Sequence, residues 1–192
     1  VISGLVLAGG EGRRMEGKDK GLINFKNKPL IQYSIEVLKF QVSDLLISAN
    51  RNLELYKKFG YPVVRDLTDN KLGPLAGIQA GLSRCKGNFL IVVSCDTPFL
   101  PNNLIEKLYK NIESNNCDIA IPFTKNLNNK KRTHPTTILL KSNLLGSLTD
   151  FLNYGGRKID VWTSSHKVVE VYFDNEKNFA NLNSMDDLSI YN

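Results

Sequence analysis

Ile2-Ser3-Gly4-Leu5-Val6-Leu7-Ala8-Gly9-Gly10-Glu11-Gly12-Arg13-Arg14-Met15 is the stretch whose reading decides the fold. Residues 2–8 are almost all apolar, as a strand buried on both faces requires. The run empties into glycines, which let bare backbone N–H groups approach a ligand closely. Arg13, Arg14, Lys18 and Lys20 follow at once and add positive charge. A strand, a glycine loop and a cluster of cations together make a cradle for phosphate. Two common nucleotide loops are excluded by spacing. G-x-x-x-x-G-K-[ST] fails because neither Lys18 nor Lys20 follows a glycine and precedes Ser or Thr, and G-x-G-x-x-G fails at Met15.

Outward from this loop, strand and helix signals alternate along nearly the whole chain, which argues for an α/β domain with a mainly parallel sheet. A short extended piece over 21–25 turns at Asn27-Lys28, and Pro29 is expected as a first helical residue. Strands are expected at 44–49, 61–65, 89–94 and 119–123, through Ile138 and Leu140, and at 168–173. Helices are expected from Asn50 to Phe59, from Pro74 to Cys85, from Pro101 through Ile112, over 144–152, after Lys158 and after Ser184. In open α/β sheets, ligands collect outside the carboxyl ends of the strands, and Gly9, Asp66 and Asp96 each fall at such an end. Asp96 directly follows the most apolar strand, where an ionised carboxylate is costly unless it meets water, a cation or a metal. Magnesium suits it, since that ion prefers carboxylate, water and phosphate oxygens. An aspartate that merely caps the turn toward Pro101 is the structural alternative.

The chain has 192 residues, 42% of them hydrophobic and 23% charged, which suits one domain of ordinary size. No apolar run approaches the roughly 18 residues of a membrane span, and residues 1–8 lack the basic start of a signal peptide, so a cytoplasmic address is expected. Cys85, Cys95 and Cys117 are odd in number and show no C-x-x-C spacing, so reduced structural thiols are expected. The net charge of +6 comes from scattered residues without interleaved aromatics, so a polyanionic small molecule is expected as the ligand, with no nucleic acid and no membrane. Lys125, Lys130, Lys131 and Arg132 sit in an Asn-rich stretch read as a surface loop.

L-A-G-G-x-G-x-R-M over 7–15, with Asp19-Lys20 after it, resembles the signature loop of the nucleotidyltransferases. With Gly73-Pro74-Leu75-Ala76-Gly77, Cys95-Asp96-Thr97-Pro98 and His134-Pro135-Thr136, the resemblance narrows to the molybdenum cofactor guanylyltransferases, which join GMP from GTP to molybdopterin. It implies one nucleotidyltransferase domain over 1–192 with a Rossmann-like, three-layer α/β/α fold. It also implies Mg2+ as cofactor, GTP and molybdopterin as substrates, and transient contact with proteins that deliver the acceptor or insert the cofactor. Arg13 would hold the β and γ phosphates, Lys20 the α-phosphate, and Asp96 the metal, making these the catalytic group. Leu7, Ala8, Gly9, Gly10, Lys20, Ser48, Asn50, Asp66 and Asp96 would bind the nucleotide, with Asp66 accepting from guanine. The family carries an asparagine where Ser48 stands, so Asn50 is expected to share that contact. His134, Arg157, Lys158, Asn181 and Asn183 would face the acceptor, the two asparagines alternatively reaching the metal. His166 is read as structural. A cytidylyltransferase of the same cofactor, a sugar-phosphate nucleotidyltransferase and a nucleotide sensor without turnover are the competing readings.

Overall fold

The computed structural model describes residues 1–10, 19–69 and 72–191. Along the chain run β1 (Ile2–Leu7), β2 (Asn24–Phe25), β3 (Lys28–Pro29), α1 (Leu30–Leu38), β4 (Asp44–Ser48), α2 (Leu53–Lys57), β5 (Val63–Val64), α3 (Pro74–Arg84) and β6 (Phe89–Ser94). Then come α4 (Leu104–Asn115), β7 (Ile119–Lys125), β8 (Lys131–Thr133), β9 (Ile138–Lys141), α5 (Leu145–Asn153), α6 (Ile159–Thr163), β10 (Val168–Tyr172) and α7 (Met185–Tyr191). Among the described residues the main sheet has the order β10-β7-β9-β6-β1-β4-β5, with β8 attached to β7.

β1 lies at the heart of this sheet, parallel to β4 on one side and to β6 on the other, with Gly4 opposite both Leu45 and Ile91. Successive side chains point to opposite faces, so Leu5, Leu46, Leu90 and Val92 join a core with α3, α5 and Trp162. Val6, Ile47, Ile91 and Val93 join the other core with Ile31, Ile35 and Leu38 of α1 and Leu104, Leu108 and Ile112 of α4. The helical spacing of those residues turns one apolar stripe of each helix to the sheet. The result is the mainly parallel α/β domain that the alternation of signals implied, in the three-layer α/β/α form that the resemblance implied. A third, smaller core of Phe25, Leu30, Leu182 and Leu188 seats the carboxyl-terminal segment beside the start of α1.

Several local expectations are corrected by tertiary pairing. Pro29 does not open α1. It pairs with Asn24 across a turn in which Lys26 and Asn27 take left-handed φ angles of 49° and 68°, the geometry of a two-residue hairpin. Pro101 stands upstream of α4 and accepts from Leu104 N at 3.1 Å. The helix after Asn50 covers only Leu53–Lys57, and the third strand only Val63–Val64. The Asn-rich stretch is part of a hairpin: Asn126 Oδ1 accepts from Asn128 N and Lys130 N, Asn129 is left-handed at φ 60°, and Lys125 pairs with Lys131. β9 runs antiparallel to both β6 and β7, because the chain returns to the sheet through β8 without a crossover helix.

Gly87 shows how tightly β1 is held. A Cβ there would stand 2.7 Å from both Ser3 N and Val1 O, backbone atoms that cannot swing aside. Ser3 Oγ also accepts from Gly87 N at 2.8 Å. Gly87→Ala should therefore cost about 1–3 kcal/mol of unfolding free energy, read as a lowered urea midpoint at unchanged slope.

Candidate functional site

The carboxyl ends of β1, β4, β5 and β6 open into a cleft of about 650 Å³. Leu7, Ala8, Gly9 and Gly10 line it from the end of β1, Ser48 and Asn50 from β4, Asp66 from β5, and Asp96 from β6, with Lys20 closing the rim. The structure thus gathers all nine residues that the sequence assigned to the nucleotide. Arg13 lies outside the described residues, as do Arg14 and Lys18. The opening of α3 at Gly73 and Pro74 forms one wall, and Gly77 explains its nearness. A Cβ on Gly77 would meet Leu7 Cδ2 and Ser48 Oγ, each at 2.8 Å, so glycine lets α3 settle over the ends of β1 and β4 without moving either side chain.

Asp96 is buried at the end of β6, with 7% of its surface exposed. Ser94 Oγ donates to its Oδ1 at 2.6 Å, and Lys20 Nζ stands 3.4 Å from its Oδ2. Lys20 Nζ also donates to Asn183 Oδ1 at 2.9 Å. One ammonium therefore joins the residue after the first loop, the end of β6 and the carboxyl-terminal segment. That segment is also pinned to the site by its backbone, since Leu182 N donates to Asp96 O at 2.9 Å. Within the segment a reciprocal cap opens α7: Asp187 Oδ2 accepts from Asn183 N and Ser184 N while Ser184 Oγ accepts from Asp187 N.

At the ends of β4 and β5, Asn50 Oδ1 accepts from Asp66 N at 3.0 Å, fixing these strand ends against each other. Burial lifts the Asp66 carboxyl above its usual range, with the Asn50 side chain opposing the rise. The Cys95 thiol is raised well above its ordinary value, first by burial and then by the Asp96 charge, and Cys85, Cys95 and Cys117 are all free.

The residues assigned to the acceptor are dispersed. Asn183 reaches the cleft through Lys20, whereas Asn181 is exposed. His134 stacks on Phe179 with ring centroids 4.6 Å apart, and its Nε2 lies 2.8 Å from Thr124 Oγ1; Thr136 of the same segment, not His134, lines the cleft. Arg157 Nη1 donates to Leu152 O at 3.1 Å and to Gly156 O at 2.5 Å in the turn before α6; Arg157 and Lys158 are exposed and are not among the described lining residues. His166, as read, is structural: its Nε2 lies 2.7 Å from Ser147 Oγ, and its ring meets Trp162 edge to face.

Sequence reasoning gave no role to Asp19 and Arg51, which also line the cleft. Asp19 was visible only as part of the Asp19-Lys20 pair, and its partners lie more than thirty positions away. No cluster of three or more His, Cys, Asp or Glu side chains that could hold a metal occurs among the described residues, and no described helix is long and apolar enough to cross a membrane.

Residues 4–168 match the family described as the MobA-like NTP transferase domain. The molybdenum cofactor guanylyltransferase of Cupriavidus metallidurans is 43% identical over 190 residues, covering 99% of this chain and 94% of the relative. That of Polynucleobacter asymbioticus is 44% identical over 190 residues, covering 98% and 94%. Among solved structures, molybdopterin-guanine dinucleotide biosynthesis protein A from Archaeoglobus fulgidus superposes with a TM-score of 0.76 at 27% identity, covering 98% of this chain and 95% of that one.

His134 yields a prediction about pH. Burial, reinforced by the Arg132 charge, pulls its pKa down to about 4 from the ordinary 6.5. The unfolded chain therefore binds the proton first as pH falls, and stability is lost from about pH 6.5 down to about pH 4. His134→Gln should shrink the loss of urea stability between pH 7 and pH 5, measured as the difference between the two midpoints in each protein.

Proposed function

The chain belongs to the MobA-like NTP transferase family, among the molybdenum cofactor guanylyltransferases, and we infer from this that it transfers GMP from GTP to molybdopterin with release of pyrophosphate. The observation that carries the chemistry is the meeting of Lys20, Asp96 and Asn183 at the mouth of a cleft ringed by strand ends. The acceptor is a phosphate, ionised at neutral pH, so no protein base is needed to activate it. Catalysis then rests on alignment and on stabilising negative charge, for which this inventory is suited.

In this reading the backbone N–H groups of Gly9 and Gly10 and the guanidinium of Arg13 bind the triphosphate, and Lys20 meets the charge that builds on the α-phosphate. Asp66, held by Asn50, accepts from the N1–H and N2–H donors of guanine. Asp96 fits a magnesium ion by its donor chemistry: it is a single hard carboxylate oriented by Ser94, and magnesium is usually bound by one or two carboxylates with waters and substrate phosphates completing the shell. When bound there, the ion neutralises charge on the phosphate oxygens. Lys20 beside that carboxylate keeps a second positive charge at the same point. The whole chain acts as one nucleotidyltransferase domain in the cytoplasm, on small-molecule substrates, passing acceptor or product to other proteins by transient contact.

The test is pyrophosphate release from GTP, CTP, ATP and UTP in turn, each with molybdopterin and magnesium. Release with GTP alone is expected, and release with CTP would redirect the reading to a cytidylyltransferase. Asp96→Asn should lower turnover at least about a hundredfold, because a neutral amide is a poor magnesium ligand. Its thermal midpoint should stay near that of the parent, and near-parental turnover would remove the metal role.

Arg157 tests the acceptor side. Since Arg157 is exposed and is not among the described lining residues, Arg157→Ala should leave GTP affinity within about a factor of three, under ~1 kcal/mol. Molybdopterin binding should weaken much further. Separate titrations with the two substrates decide it, and a variant that loses GTP while keeping the pterin would reverse the assignment.

A further inference from the structure

Lys20 is given a task in the reaction, but its ammonium sits at the end of a flexible stem, and something must hold the backbone from which it hangs. The preceding residue is suited to that. Asp19 is a carboxylate whose side chain is only 3% exposed, and a buried charge is costly unless it is fully partnered. Its partners come from one short stretch of chain. Tyr56 donates from its hydroxyl to Oδ1, Asn52 Nδ2 donates to Oδ2 at 3.2 Å, and Arg51 Nε stands 3.6 Å from Oδ2. Arg51 reaches further, with Nη2 donating to Gly10 O at 3.1 Å. A single guanidinium thus touches both the end of β1 and the residue before Lys20.

The surroundings are built for this contact. Tyr56 is fully buried, and burial raises its phenol well above the ordinary value, so it remains a donor. The hydroxyl finds room because residue 21 is glycine: a Cβ on Gly21 would stand 2.6 Å from it. Asn52 takes a left-handed φ of 52°, unusual outside glycine, while its side chain serves Asp19. Beyond the anchor, Leu22 N donates to Asp19 O at 3.1 Å and Ile23 N to Lys20 O at 3.2 Å, a single tight turn that directs Lys20 toward Asp96 and Asn183.

We propose that Asp19, gripped by Tyr56, Asn52 and Arg51, is a positioning residue that sets Lys20 for its action on the reacting phosphate, and that Arg51 ties this anchor to Gly10. The proposal rests on the guanylyltransferase reading for the chemistry but not for the anchor. Both carboxylate oxygens of Asp19 accept from the side chains of Asn52 and Tyr56, so the residue acts through Lys20.

The experiment has two arms. Tyr56→Phe keeps the ring in its pocket and removes the bond to Asp19. Amide hydrogen exchange on the free protein should then rise at least about tenfold in a peptide covering 19–25 and stay unchanged in β6, a local opening. In pyrophosphate release, kcat should fall about tenfold or more while GTP affinity moves less than about threefold, and in a Lys20→Ala background the same change should alter kcat by less than about twofold. Losses that multiply in both backgrounds, or exchange that is unchanged or raised uniformly along the chain, overturn the proposal. Asp19→Asn, which keeps an oxygen for Tyr56 but removes the charge facing Arg51, should show the same non-additivity with Lys20→Ala; multiplication there likewise overturns it. A parent protein that releases no pyrophosphate from GTP overturns the guanylyltransferase reading, and the anchor then stands or falls on the exchange arm.

Discussion

The parallel pairing of β1 between β4 and β6 is the constraint on which the rest depends. Parallel neighbours require each connection to cross back over a face of the sheet, so β1, β4 and β6 end at the same edge. The connections through α1 and α3 travel in opposite directions across the sheet, and crossovers of one hand then place the two helices on opposite faces. Their carboxyl ends bring a glycine loop, a polar turn and an aspartate to one place without any of them being near in sequence. Gly77 completes the arrangement, since a Cβ there would crowd the side chains of Leu7 and Ser48 at the cleft wall.

Charge is managed at that same edge. Asp96 and Asp19 are both buried carboxylates, and each meets a cation from elsewhere in the chain: Lys20 for Asp96 and Arg51 for Asp19. The two pairs are adjacent through the Asp19-Lys20 peptide, so the two acids and their cations form one connected set. Such a set is costly when half satisfied and rigid when complete. It sets the cations Lys20 and Arg51 at the strand ends, each held by a buried carboxylate.

The carboxyl-terminal segment joins this site by packing rather than by sheet pairing. Leu182 and Leu188 bury themselves against Phe25 and Leu30, and that small core delivers Asn183 to Lys20. The segment carrying His134 follows a different logic. The hairpin of β7 and β8 returns the chain to the sheet as the reversed strand β9, and the ring of His134 is spent on Phe179 while Thr136 faces the cleft. Asn126 and Asn129 were turn residues in plain view, yet their stretch read as a loop because three exposed residues of β8 leave no apolar pattern.

By itself the sequence determined the alternating strands and helices, the central strand and its glycine loop, and the three strand ends at Gly9, Asp66 and Asp96. Each of these is a local signal, since burial on both faces writes an apolar run, and a ligand at a strand end demands glycine or a charged residue just beyond it. It also determined the family, through motifs that are contiguous in the chain. Only the tertiary structure decided that Pro29 belongs to a hairpin, that β9 runs backward, that Asn183 meets Lys20, and that Asp19 is gripped by Arg51, Asn52 and Tyr56. Those outcomes depend on contacts between distant residues, where an ordinary aspartate or tyrosine acquires its meaning from what is packed against it, and no local pattern records that.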